Sequence, residues 1–240
     1  MSYNWFAKVY DQLMDDSLYG KWLEYTKKHV SENRTMLELG CGTGILGIML
    51  KESGYDLTGL DLSEEMLSLA YDRQTESKVF FPLLQGDMKE LSELPQYDSV
   101  ICYSDALCYM EDEASLAKVF KEVYSVLSDE GVFLFDVHSL HKMELFQEFS
   151  FHAEVDDIVF LWDSYEGEHE GSVDHHLTFF VETDEGRYER FEEVHSERTY
   201  PVEVYIQLLK KAGFRTVDLT ADFTDTVESD SERWFFEVRK

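Results

Sequence analysis

Basic side chains are scarce in this sequence. Its 240 residues include 21 Lys and Arg against 50 Asp and Glu, which gives a formal net charge of −29. Because binding to nucleic acid or to an anionic membrane depends on clustered Lys and Arg, this composition argues against both kinds of partner. Two interpretations of the acidity stay open: a surface that keeps the protein soluble, and an attraction for a cationic substrate such as an amine.

Cysteines and long apolar stretches are also few. The three cysteines, Cys41, Cys102 and Cys108, are odd in number and show no pairing typical of a metal site. No apolar run approaches the roughly 20 residues that a membrane-spanning helix needs. The first residues have neither the basic segment nor the apolar core of a signal peptide. We therefore expect a cytoplasmic protein with no membrane partner.

Short apolar segments alternate with amphipathic ones from residue 35 onwards. We predict helices over residues 1–30, and then strands at 35–39, 55–60, 79–85, 97–102 and 131–137, with helices at 45–51, 63–71 and 113–127. Ser63 is the expected cap of the second of these later helices. Strands that alternate with helices in this way indicate an α/β fold with a parallel sheet that is covered on both faces.

The pattern changes between residues 149 and 200. Apolar and polar residues alternate there without an intervening helix, which predicts antiparallel strands at 158–165, 173–183 and 187–198. The turn before Gly186 joins the last two strands as a hairpin, with this glycine at a position of positive φ. A helix at 201–212 and strands at 214–220 and 233–239 then resume the α/β pattern.

This change of pattern divides the chain into three parts. Residues 1–148 contain the N-terminal helices and most of the α/β core. Residues 149–200 form an antiparallel β insertion, and residues 201–240 complete the core.

A glycine-rich loop follows the first predicted strand. Gly40, Gly42 and Gly44 stand between a strand and a helix, where glycines let a ligand approach the backbone and the helix start offers N–H groups. With Gly47, the loop also fits the G-x-G-x-x-G spacing of nicotinamide and flavin sites. The loop alone therefore leaves two kinds of cofactor open.

Three acidic residues stand at the ends of successive predicted strands. Glu38 lies inside the end of the first strand, where a carboxylate opposes a pyrophosphate but suits an ammonium group. Asp61 ends the second strand, a position from which a carboxylate can accept both ribose hydroxyls. Asp87 follows the third strand beside Met88, and this pair suits the amino group and ring of adenine. The carboxyl ends of parallel strands meet at one edge of the sheet, so the three acids are expected to converge on one crevice.

Three segments together resemble the motifs of class I S-adenosylmethionine-dependent methyltransferases: residues 36–44, 57–63 and 85–88. Phe6-Ala7 and Tyr10-Asp11 add an element seen in a small-molecule branch of that family. That branch includes amino-sugar N-methyltransferases and small uncharacterised bacterial methyltransferases. The resemblance implies S-adenosylmethionine as the cofactor and a Rossmann-like, doubly wound sheet of seven mostly parallel strands with an antiparallel last strand. It also implies an antiparallel β lid in the place of the insertion.

The resemblance assigns the cofactor contacts residue by residue. Glu38 and Gly40 would hold the methionine ammonium, Asp61 the ribose diol, and Asp87 with Met88 the adenine edge. The full set of implied cofactor residues is Tyr10, Glu38, Gly40, Cys41, Gly42, Gly44, Asp61, Leu62, Met66, Gly86, Asp87, Met88 and Tyr103.

The methyl acceptor is less defined than the donor. Residues 103–110 lack the Asn/Asp-Pro-Pro-Tyr pattern of enzymes that methylate nucleobases or glutamine, and the Pro-Cys nucleophile of carbon-5 pyrimidine methylation. We expect a small-molecule acceptor, such as an amine, with N- or O-methylation by in-line displacement. Tyr109 stands where some amino-sugar enzymes carry a histidine. It is a candidate catalytic residue, together with Tyr10 and His138.

Several alternatives remain open from the sequence. A nicotinamide-dependent oxidoreductase would account for the glycines and Asp61, but it leaves Glu38 and Asp87 without a role. A non-catalytic cofactor-binding or protein-interaction module is a further possibility. The insertion has two candidate roles, a lid over the acceptor and a surface that pairs two subunits as a homodimer.

No metal site is predicted from the histidines. None of them shows a compact chelating spacing, and the adjacent His175 and His176 would point to opposite faces of a strand. The histidines considered are His138, His141, His169, His175, His176 and His195.

Overall fold

Helices and strands alternate along most of the chain. The computed structural model describes residues 16–155, 157–183 and 185–240. In these residues the helices are α1 Asp16–His29, α2 Ile45–Glu52, α3 Glu64–Ser77, α4 Glu113–Val126, α5 Leu140–Phe146 and α6 Val202–Ala212, with a short 3₁₀ helix at Ala106–Tyr109. The strands are β1 Thr35–Leu39, β2 Asp56–Asp61, β3 Leu83–Gln85, β4 Tyr97–Cys102, β5 Leu127–His138, β6 Ser150–Val155, β7 Ile158–Glu166, β8 Ser172–Glu182, β9 Tyr188–Arg198, β10 Thr216–Ala221 and β11 Arg233–Arg239.

Seven strands form the larger sheet, in the order β10-β11-β5-β4-β1-β2-β3. Strands β1 to β5 pair in parallel, whereas β11 runs antiparallel to both β5 and β10. The order reverses between β1 and β4, and the carboxyl ends of such strands flank the crevice in which open α/β sheets bind ligands. The predicted Rossmann-like, doubly wound sheet with an antiparallel last strand is therefore confirmed.

The core lies on both faces of this sheet, because successive residues of a strand point to opposite sides. Met36 belongs to an apolar cluster with Trp22 of α1, and the next residue, Leu37, belongs to the cluster with α4 and α6. Strand β5 divides in the same way, with Phe133 and Leu134 in different clusters. The double burial explains why these strands are nearly continuous apolar runs.

Four strands form a second, antiparallel sheet in the order β6-β7-β8-β9. This sheet occupies the predicted insertion, and Gly186 of its last hairpin has a φ of +70°. His175 is buried and His176 is exposed, as expected for neighbours in a strand. The sheet contacts the core through Phe146 of α5, whose ring lies 6.2 Å from Trp162 and 4.9 Å from His175.

The structure differs from the sequence prediction in a few elements. The third strand covers 83–85 and not 79–85, because Pro82 has no N–H group for the ladder and the pairing with β2 begins at Leu83. The seven-residue helix α5 was not predicted, although Ser139 caps it by accepting a hydrogen bond from the Lys142 N–H at 3.0 Å. Among the described residues, no helix has the length and apolar character needed to cross a bilayer.

Candidate active site

The glycine loop lies at the carboxyl end of β1. Gly40, Gly42 and Gly44 have φ angles of +66°, +53° and +77°, the left-handed region that glycine adopts readily. A Cβ atom on Gly40 would lie 2.9 Å from the Cβ of Ala106, which is too close for most side chains. The loop therefore needs glycine at this position both for its conformation and for its contact with the 3₁₀ helix.

Glu38 is the buried acid behind this loop. Its side chain is only 5% exposed, and its Oε2 atom has no hydrogen-bond partner among the described residues. A Cβ on Gly47 would lie 2.9 Å from the same Oε2, so this glycine makes room for the carboxyl group. Burial, and then the nearby charge of Asp61, raise the pKa of Glu38 from 4.5 to about 8. A cationic ligand would supply the partner that this buried carboxyl group lacks.

Two adjoining cavities open at this edge of the sheet. The smaller one, about 40 Å³, is lined by Glu38, Cys41, Trp22 and Tyr103 among others. The larger one, about 370 Å³, is the cleft in which most of the predicted residues meet. Both cavities share Gly40, Gly42, Tyr103 and Ser104. An elongated ligand could therefore extend from Glu38 into the cleft.

Asp61 is held in place in the wall of the cleft. Its Oδ2 accepts a hydrogen bond from the Gly42 N–H at 2.7 Å, and its Oδ1 accepts one from the Ser63 N–H at 2.9 Å. Burial raises its pKa, while these backbone hydrogen bonds act in the opposite direction. Ser63 also caps α3 as predicted, since its hydroxyl accepts a hydrogen bond from the Met66 N–H at 3.1 Å. The carboxylate is thus oriented for a polar group in the cleft.

Apolar side chains and a further acid line one part of this cavity. Leu62 is 65% exposed on its wall, and Met66 and Met88 also line it. Asp87 accepts a hydrogen bond from the Lys89 N–H at 2.8 Å, and its other oxygen lies 3.5 Å from Lys89 Nζ. Apolar faces beside a fixed acid suit a flat heterocycle such as adenine.

The predicted cofactor residues are brought together with two exceptions. Gly44 precedes α2 and is not among the residues that line either cavity, and Tyr10 lies outside the described residues. The others line one cavity or both: Glu38, Gly40, Cys41, Gly42, Asp61, Leu62, Met66, Gly86, Asp87, Met88 and Tyr103.

Asp105 is a cleft residue that the sequence analysis did not identify. It accepts a hydrogen bond from Arg233 at 2.7 Å, and Arg233 also donates to Asp136 at 2.9 Å. Burial opposes the ionisation of Asp105, but the adjacent His138 and the Arg233 guanidinium together outweigh it, and the pKa of Asp105 lies below its usual range. Ser104 and Asp105 adopt the left-handed conformation, with φ of +54° and +52°, and this unusual turn had no glycine to indicate it in the sequence.

The candidate catalytic residues lie at different depths. Tyr109 lines the cleft, and its hydroxyl lies 3.2 Å from His195 Nδ1 of the second sheet. His138 does not line the cleft and lies behind it, with Nε2 at 3.3 Å from Asp105. Burial lowers the pKa of His138 to about 3, so the ring is neutral at physiological pH. Contact between His138 and an acceptor stays a prediction.

Asp105, His138 and Glu197 also offer ligand atoms within 4.8 Å of one another. Three such atoms at this spacing could hold a metal ion. However, the Arg233 guanidinium already lies 2.7 Å from Asp105 and supplies the positive charge beside it. The absence of a metal site, which the sequence predicts, stays a prediction. We assign the positive charge beside Asp105 to Arg233.

Comparison with known proteins identifies the family. Residues 36–131 match the family described as a methyltransferase domain. YqeM of Bacillus subtilis, named provisionally as a methyltransferase, is 43% identical over 243 residues, which cover 100% of this chain and 98% of that protein. The glycine/sarcosine N-methyltransferase of Aphanothece halophytica is 26% identical over 244 residues, which cover 98% of this chain and 88% of that enzyme.

A solved structure extends the likeness to the whole fold. An S-adenosylmethionine-dependent methyltransferase of Clostridium acetobutylicum is 30% identical, with a TM-score of 0.83 and a coverage of 99% of this chain and 98% of that one. This family membership confirms the predicted cofactor and sets aside the nicotinamide-dependent oxidoreductase. The chain belongs to the S-adenosylmethionine-dependent methyltransferases.

Proposed function

We propose that the enzyme transfers the methyl group of S-adenosylmethionine to the nitrogen of a small-molecule amine. The bound cofactor supplies a methyl group that its sulfonium activates. Glu38 would pair with the cofactor's ammonium group, Asp61 would accept the ribose hydroxyls, and Leu62 with Met66 would flank the adenine. The protein's main contribution would be alignment, since methyl transfer in line needs the nucleophile and the methyl carbon in near-attack geometry.

The acidity of the acceptor end is the observation that carries this proposal. Asp105 and Glu111 line the cleft next to Tyr109. Arg233 is engaged by Asp105 and Asp136, and Lys89 lies 3.5 Å from Asp87, so each of these cations already faces a carboxylate. Such surroundings favour a cationic or neutral acceptor over an anionic one. The glycine/sarcosine N-methyltransferase among the relatives acts on amines by its name, which agrees with this proposal.

A set of matched acceptors tests the choice of nitrogen over oxygen. We expect S-adenosylhomocysteine to form with one or more of methylamine, ethanolamine, glycine and glucosamine, and not with methanol, ethylene glycol, glycolate and glucose. The measurement is the rate of S-adenosylhomocysteine formation at saturating S-adenosylmethionine. Turnover on the alcohols without turnover on the amines would contradict the proposal.

Cofactor binding beside Glu38 is expected to release a proton. Because the pKa of Glu38 is raised to about 8 in the folded protein, the carboxyl group holds a proton at pH 7. An ammonium group at Glu38 would expel that proton, so binding of S-adenosylhomocysteine at pH 7 should release about one proton. Titration calorimetry in buffers of different ionisation enthalpy measures this number. In Glu38→Gln the release should disappear and the affinity should fall about tenfold, whereas Glu52→Gln, an exposed control, should match the wild type.

The same group makes stability depend on pH. Its folded pKa of about 8 exceeds the ordinary value of 4.5, so the folded state retains a proton that the unfolded chain loses. Stability is therefore expected to fall as the pH rises from 4.5 to about 8 and to level off above that. Urea unfolding of the ligand-free protein should show this slope weakened in Glu38→Gln. An identical slope in both proteins would contradict the raised pKa.

A further inference from the structure

A row of three side chains connects the cleft with the second sheet. The Tyr109 hydroxyl lies 3.2 Å from His195 Nδ1, and His195 Nε2 lies 3.3 Å from Glu193 Oε2. Tyr109 lines the cleft, whereas His195 is 4% exposed and Glu193 is 8% exposed. The row therefore begins in the cleft and ends inside the protein.

The strand β9 explains why His195 and Glu193 point inward together. Residues two apart in a strand share a face, and this face of β9 is turned towards the core. Glu192 and Val194 occupy the other face and are exposed. Burial of a carboxyl group and an imidazole is unfavourable unless both are paired, and here they are paired with each other.

The geometry sets the direction of these hydrogen bonds. A carboxylate beside Nε2 accepts a hydrogen bond from it, so the proton of the neutral ring is placed on Nε2. Nδ1 then has a lone pair and accepts the hydrogen bond of the Tyr109 hydroxyl. This is the order of nucleophile or base, histidine and orienting acid that activates hydroxyl groups in other enzymes.

We propose that Tyr109, His195 and Glu193 form a proton relay that deprotonates the ammonium form of the methyl acceptor. This inference rests on the proposed function. The acceptor nitrogen gives a proton to the Tyr109 oxygen while Tyr109 passes its own proton to His195 Nδ1, and the Glu193 carboxylate stabilises the resulting imidazolium. The nitrogen lone pair then forms the bond to the methyl carbon, as the bond from that carbon to sulfur breaks and its electron pair stays on sulfur.

In this scheme Tyr109 is the catalytic residue, because it faces the acceptor. His195 and Glu193 are positioning residues that act through it. They lie in the insertion, and 86 positions separate His195 from Tyr109. The second sheet would therefore contribute to acid–base chemistry at the site.

The other titratable groups around the row are less suited to accept the proton of the acceptor. Glu197, two residues beyond His195 in β9, also hydrogen-bonds Tyr109, and His175 lies near His195. Asp105, His138 and Arg233 lie next to these groups. Burial lowers the pKa of His138 to about 3 and that of His175 to about 4, and burial raises the pKa of Glu197. These histidines are therefore poor proton acceptors near neutral pH.

Rates measured across pH test the relay. The acceptor is whichever of methylamine, ethanolamine, glycine and glucosamine is methylated. We measure kcat for this acceptor from pH 6 to pH 10 at saturating S-adenosylmethionine. Tyr109→Phe, His195→Gln and Glu193→Gln should each lower kcat at pH 7 by about 100-fold, within the usual range for general base catalysis. The loss should shrink as the pH approaches the pKa of the amine, because solvent then supplies the free amine. A purely structural defect would not recover in this way.

Matched controls separate the possible outcomes. Glu192→Gln, on the exposed face of the same strand, should keep the wild-type rate. The double variant Tyr109→Phe/Glu193→Gln should lose no more than either single variant, since the residues act as a unit. Losses below twofold, or losses that stay equal at every pH while S-adenosylhomocysteine still binds, would overturn the relay and leave the proposed function intact. No methylation of any amine would overturn the proposed function itself.

A spectroscopic measurement gives a result that does not depend on turnover. Nitrogen NMR of the histidine rings, with His195→Gln used for assignment, should show the Nε2–H tautomer for His195. Its Nδ1 signal should shift in Tyr109→Phe, because the hydroxyl hydrogen bond is lost. The Nδ1–H tautomer in the wild type would overturn the relay.

Discussion

Replacement of Arg233 by methionine is expected to lower the free energy of unfolding by about 3–5 kcal/mol, because it removes one partner of a buried ion pair. The guanidinium lies 2.7 Å from Asp105 and 2.9 Å from Asp136, and Asp136 is fully buried. Without Arg233, the carboxylate of Asp136 would face the N–H groups of Trp22 and Asp105 without a compensating charge. Urea unfolding measures the loss.

The effect of this variant should grow with pH. Burial already raises the pKa of Asp136 above 3.8, and the guanidinium lowers it. Once Arg233 is removed, the pKa rises further and the folded state holds a proton that the unfolded chain has lost. Unfolding at pH 5 and pH 8 should therefore show the larger loss at pH 8. Arg215→Met, at an exposed position, should change stability by less than about 0.5 kcal/mol. A loss below about 1 kcal/mol in Arg233→Met would contradict the assigned ion pair.

Replacement of Asp61 by alanine is expected to weaken the binding of S-adenosylhomocysteine about 100-fold. The carboxylate is fixed by the N–H groups of Gly42 and Ser63 and lies in the wall of the cleft. Two hydrogen bonds from a ribose diol to a charged acceptor contribute about 3 kcal/mol together, which corresponds to about two factors of ten in affinity. Titration calorimetry gives the dissociation constant directly.

The control for Asp61 lies in the same strand. Asp56 begins β2 and is exposed, so Asp56→Ala should leave the affinity unchanged. Circular dichroism of Asp61→Ala should show a folded protein, because the backbone N–H groups that it releases are at the edge of an open cleft. Equal affinities of Asp61→Ala and the wild type would contradict the placement of the ribose.

Most of the sheet could be predicted because its signals are local. Strands β1 and β4 have the predicted bounds, since apolar runs end sharply at Gly40 and after Cys102. Helix α5 was not predicted because a helix of seven residues is too short to show the helical period of apolar residues. Helix α3 extends to Ser77, beyond the predicted end at 71, and its last residues are mostly polar. Gln74 is nevertheless buried there, and its side-chain amide donates a hydrogen bond to the Phe81 carbonyl.

The proximity of the proposed donor residues was predictable, and that of the groups around Asp105 and Tyr109 was not, for one physical reason. Glu38, Asp61 and Asp87 lie at the carboxyl ends of three neighbouring parallel strands, so topology alone brings them together. Asp105 and Arg233 are 128 positions apart, and their ion pair depends on how β11 is inserted beside β5. His195 was visible in the sequence only as a possible metal ligand. Its position beside Tyr109 depends on how the two sheets pack, and no local sequence pattern predicts that packing.

The residues that line the cleft and the side chains behind it have separate origins in the chain. Every residue that lines the larger cavity falls between positions 40 and 111, whereas the side chains behind Tyr109 come from β9. Substitutions along β9 can therefore change the groups behind Tyr109 without altering any residue that lines the larger cavity. Under the proposed relay, such substitutions would alter the chemistry at the acceptor while the residues that line the cleft stay the same.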